Sequence, residues 1–120
     1  DFTADNVLFD GNKTTALDIE GRYQNLIYHD LASFLNSITL VGLGLPMSES
    51  AIRGYSDTFL AGYFGDRKHS SPTLWFLRVS GLVWVALEVL GRFTRQPLMR
   101  IWLRRSFIRM FNDLIARAPI

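Results

Sequence analysis

The sequence predicts an all-α, mainly helical protein of about four helices. One or two of these are hydrophobic enough to cross a membrane, an extended arm precedes them, and an amphipathic helix closes the chain. Three observations predict this. Apolar residues recur at steps of three and four over long stretches, the period of a helix buried on one side. Of the 120 residues, 48% are apolar and 13% aromatic, which excludes a disordered chain. Charge is also graded along the sequence: residues 1–30 carry a net −4, residues 31–90 sum to zero, and residues 91–120 carry +6.

The length fits a single domain, 1–120. Positive mean hydropathy in so short a chain points to burial against lipid or partners, because small domains leave much of their surface in water. A chain that starts at Asp1 with no presequence in view is expected of a processed organellar or exported protein, and equally of a trimmed one.

Residues 1–22 lack a sustained period and read as an extended arm that lies on a partner. Within it Val7-Leu8-Phe9, followed by Asp10-Gly11-Asn12, has the composition of a short strand entering a turn. Asn12-Lys13-Thr14 matches a glycosylation sequon, a triplet that arises often by chance.

A first helix is expected over 22–45. Ile27, Leu31, Phe34, Ile38, Val41 and Leu45 form one apolar seam suited to helix packing, and no charge occurs from Leu31 to Ser48. Pro46 ends it, since proline disfavours helical geometry in the residue before it. Gly42 and Gly44 fit a helix whose backbone is approached by a neighbour. A shorter amphipathic helix over 48–64 follows, with Ser48 as N-cap and Ile52, Tyr55, Phe59 and Tyr63 on one face. Residues 65–70 read as a polar loop.

The third helix, 72–93, has Ser71 as cap and Pro72 at its first position, where a missing N–H costs nothing. From Leu74 to Leu90 the charged residues are Arg78 and Glu88, and apolar residues occur all round, which implies burial on every side. Glu88 precedes Arg92 by four residues, the favourable order for a helical ion pair. The last helix, 97–117, starts at Pro97. Leu103, Phe107, Ile108, Met110, Phe111, Leu114 and Ile115 share a broad face, opposite Arg105, Arg109, Asn112 and Asp113. Arg100, Arg104 and Arg105 are the residues expected to contact acidic lipid or partner carboxylates.

Segments 27–47 and 72–93 have the length of a membrane span. Their polar residues (Asn36, Ser37 and Thr39 in one, Arg78 and Glu88 in the other) imply protein neighbours rather than lipid alone. Arginines gather on the cytoplasmic, matrix or stromal side of membranes. Two spans would put the acidic head beside the basic tail, which favours a single span. The competing expectation is a soluble four-helix interaction module.

No catalytic apparatus is visible. The chain lacks cysteine, so thiolate metal sites and cysteine nucleophiles are excluded. Its two histidines, His29 and His69, have no clustered carboxylates with which to hold zinc, and the glycines match no phosphate-cradling loop. His29, at the start of an apolar helix, sits where a haem or pigment ligand could lie; a polar residue at a helix end is the plainer reading. Aromatics interleave the C-terminal arginines as in phosphate binders, but on the apolar face, which argues against nucleic acid.

The expected function is therefore structural, not enzymatic, and needs no cofactor, metal or small-molecule substrate. The profile suits an accessory subunit of an energy-transducing complex, respiratory chain or ATP synthase, in the mitochondrial inner membrane. A photosystem subunit in the thylakoid is the alternative. Other subunits and acidic lipids are the expected partners.

Overall fold

The computed structural model describes residues 3–17, 27–45, 47–65 and 71–119. It is mainly helical with four α-helices: α1 (Ile27–Gly44), α2 (Glu49–Phe64), α3 (Pro72–Arg92) and α4 (Pro97–Ala116). The chain divides into two compact units, Asp1–Ser70 and Ser71–Ile120. The expected helix starts at 22–26 and the loop at 66–70, with His69, lie outside the described residues.

In the first unit, residues 3–17 of the expected arm fold back on themselves, and residues 18–22 of it lie outside the described residues. A 3-10 turn (Ala4–Asn6) leads into a two-stranded antiparallel hairpin of β1 (Val7–Phe9) and β2 (Thr14–Ala16), with Val7 opposite Ala16 and Phe9 opposite Thr14. Asp10 makes the turn: its carboxylate accepts from the backbone N–H groups of Asn12 (3.1 Å) and Lys13 (2.8 Å), and Gly11 takes φ +94°. An isolated two-stranded hairpin is marginal in water. This one is tied down where Ala4 N–H donates to Ser37 Oγ on α1 at 2.8 Å, and that hydroxyl donates onward to the Phe34 carbonyl at 2.7 Å.

α2 follows the sequence expectation. Ser48 Oγ accepts from Ala51 N–H at 3.2 Å, and Gly65 ends the helix at φ +71°. It packs on α1 through Phe34 and Phe59, whose ring centroids lie 4.2 Å apart. It also packs where Gly42 faces Ile52, since a Cβ at Gly42 would collide with the Ile52 Cδ1 atom. Gly42 is therefore a packing residue, and its lack of a side chain sets how closely the two helices approach.

The second unit is a helical hairpin. Ser71 Oγ accepts from Leu74 N–H at 3.2 Å and Pro72 opens α3; the four residues Phe93–Gln96 then turn the chain into α4. So short a connection makes the helices antiparallel. Trp75 Nε1–H donates to the Leu114 carbonyl at 2.8 Å, joining the first turn of α3 to the last turn of α4 and satisfying a helix-end acceptor. That bond sets the register. Leu82 is level with Phe107, and Ala86 with Leu103, and all four are buried.

Candidate interaction surface

The sequence-predicted packing seam on α1 is used only in part. Leu31 is buried, while Phe34 and Ile38 are half-buried, and Phe34 meets Phe59. Val41 and Leu45 are exposed, and the side chain of Ile27 lies outside the described residues. The most completely buried positions are Leu31, Ala32, Leu35 and Asn36, centred roughly 100°, one residue step, around the helix from the seam. A heptad pattern marks a single stripe. α1 instead has neighbours on more than one side, the 3-10 turn at Ser37 and α2 at Phe34 and Gly42.

A second difference concerns α3. Its composition implied burial on every side, yet only 17% of its most apolar stretch is buried within the chain. Leu74, Leu82 and Ala86 are buried; Phe76, Val83, Trp84 and Leu87 are exposed, Phe76 at 62% and Leu87 at 67%. Within its own unit, the described residues do not supply the cover that this helix calls for. On α4 the broad apolar face read from the sequence divides: Leu103, Phe107 and Leu114 are buried, whereas Ile108 and Ile115 are exposed.

Most of these exposed residues are not scattered. Phe76, Val83 and Leu87 recur at steps of seven and four along α3, and Ile101, Ile108 and Ile115 recur every seven along α4. By helical spacing each stripe lies roughly 110–130° round from its own helix's buried line. Because the helices are antiparallel, the two offsets fall on the same side of the hairpin. The second unit thus presents a broad apolar face on that side, while Trp84 and Trp102, also exposed, fall on the opposite side by the same spacing. The seven-residue repeat of isoleucine was its only signal in the sequence.

The three arginines singled out from the sequence are all exposed on α4. The structure separates them. Arg104 lies three residues after Ile101 and four before Ile108, so it stands within the apolar face, with Arg100 one turn before it towards the hairpin turn. Arg105 points to the far side of α4. Among the described residues Arg95, Arg100, Arg104 and Arg105 make no ion pair. Arg92 is paired with Glu88, as the spacing predicts, and Arg117 with Asp113 at 3.4 Å.

His29 is exposed in the first turn of α1 next to Asp30. Among the described residues no group of three His, Asp or Glu side chains is placed to hold a metal ion. The chain matches no protein-family model, no curated protein and no solved structure, so its own surface is the guide to its role.

Proposed function

We propose that this chain is a structural accessory subunit of a multisubunit, energy-transducing membrane complex, held in an organellar membrane by its C-terminal helical hairpin. One observation carries the reading. α3 is 21 residues long and apolar enough to cross a membrane, yet little of it is covered by the described residues of its own unit. A helix of that composition at the core of a soluble domain is mostly buried. Left in water, the open face of α3 and α4 would drive association until lipid or protein covered it. The arginines on α4 suit a membrane's charged surface, and the role is one of bracing neighbours and filling lipid-lined gaps.

Carbonate extraction of membranes, followed by native gel analysis of the detergent extract, tests this. Retention in the washed pellet and comigration with a large complex are expected, and the comigrating subunits name the assembly. A second reading, a soluble helical interaction module, is favoured by Arg78 and Glu88 within α3. Release as a monodisperse small species without detergent would establish it and refute the first.

A further inference from the structure

We propose that the α3–α4 hairpin does not cross the bilayer but lies in the plane of one leaflet's interface, its apolar face against the acyl chains and Arg100 and Arg104 on the phosphates of anionic phospholipids. This rests on the membrane reading above and specifies its geometry.

The argument is one of register. The Trp75–Leu114 bond and the four-residue turn pair α4 with α3 along its whole length. The midpoint of α3 is then level with Phe107. Arg104, Arg105 and Arg109 all fall within three residues of that level, roughly 5 Å along the axis. If α3 spanned the membrane with α4 packed beside it, three guanidinium groups would be carried to the bilayer centre, where ionised side chains are most costly. Laid flat, the same hairpin keeps every arginine within a side chain's reach of the headgroups, because long stems run over apolar surface while the charge stays in the polar layer.

The face itself fits an interface. Phe76, Val83, Leu87, Ile101, Ile108 and Ile115 project to one side, and Arg100 and Arg104 stand among them towards the turn. Apolar residues interspersed with arginine, on an α4 rich in both, suit a helix that lies in an interface. The two arginines make no ion pair among the described residues, so their charge is available to an anionic surface. Charge complementarity therefore selects anionic lipid over a purely apolar protein partner.

The absence of cysteine makes the test direct, since a single introduced thiol is the sole labelling site. Phe76→Cys, Val83→Cys and Leu87→Cys variants of the 120-residue chain would each be spin-labelled, checked for helicity, and bound to vesicles of zwitterionic lipid with or without about one-third anionic lipid. Depth is read by power saturation. An in-plane hairpin places all three labels at a similar shallow depth. A spanning α3 would spread positions 76 and 87 over roughly 16 Å of depth, and that gradient would overturn the proposal. Arg100→Gln/Arg104→Gln should lose roughly 30-fold in binding to the anionic vesicles (about 2 kcal/mol) and little on zwitterionic ones. Equal loss on both surfaces, or none, would also overturn it. Labels that stay water-accessible on vesicles, while the protein comigrates with a membrane complex, would show that a protein covers the face. That result sinks the lipid assignment and leaves the accessory-subunit reading standing. Failure to fractionate with membranes at all would sink both.

Discussion

Replacing Leu87 by serine removes an apolar side chain from the open face of α3 without touching the line along which α3 meets α4. Burying a whole leucine side chain contributes about 1.5–3 kcal/mol. Leu87 is 67% exposed, so cover by lipid or partner adds about 1–2 kcal/mol at this position. Ile108, at 48%, adds about 1 kcal/mol on the same side of the hairpin. The double variant Leu87→Ser/Ile108→Ser should therefore weaken membrane partitioning by about 2–3 kcal/mol, roughly 30- to 200-fold. Its folded state in detergent should change little, since exposed substitutions usually stay within about 0.5 kcal/mol each. Leu82→Ser is the opposite case. Leu82 has no exposed surface and is level with Phe107, so truncation there costs about 2–5 kcal/mol of stability. Vesicle cosedimentation gives the first quantity and chemical denaturation the second. A double variant that partitions like the parent, or one that unfolds as readily as Leu82→Ser, would refute the assignment of an open face.

Three further outcomes follow from local geometry. Gly54→Ala, where the added methyl meets nothing, should stabilise α2 by about 0.5–1 kcal/mol; Gly42→Ala should lose that advantage or reverse it, because overpacking against Ile52 costs about 1–3 kcal/mol, and thermal melts of the pair compare the two. Trp75→Phe keeps the ring but not the donor. It should cost about 0.5–1.5 kcal/mol and raise hydrogen exchange in the last turn of α4, the Leu114 carbonyl retaining only its bond from Arg117 N–H at 3.2 Å. The N–H groups of Asn12 and Lys13 hold the Asp10 carboxyl below its usual range. Its contribution to the hairpin turn is complete above the ordinary carboxylate range and is lost as pH falls through the lowered value. NMR amide shifts of Asn12 and Lys13 should follow that titration and become insensitive to it in Asp10→Asn.

Much of the fold was legible because it is written in short-range chemistry. Ser48 and Ser71 cap the helices that their positions announce, Pro72 and Pro97 open α3 and α4, and the Glu88–Arg92 pair forms at its four-residue spacing. The hairpin at Asp10 was half legible: the turn residues were visible, but its attachment to Ser37 is a contact between distant positions. Periodicity failed in a specific way. It names which residues on a helix are apolar but not which of them another element covers. Ile108 and Ile115 carry the same pattern as Leu114, yet only Leu114 is buried. The Trp75–Leu114 bond, which sets the level of each arginine against α3, left no trace in local sequence.

The hairpin also makes the order of synthesis matter. α3 leaves the ribosome first and, until its partner exists, presents Leu74, Leu82 and Ala86 along with the rest of its apolar surface. At that moment it satisfies the length and composition that insertion machinery accepts as a spanning segment. α4 follows within about 1–5 s at ordinary elongation rates, bringing the arginines alongside. On the membrane reading proposed above, placement becomes a race between lateral release of a lone helix and closure of a pair, and the four-residue turn shortens the second path.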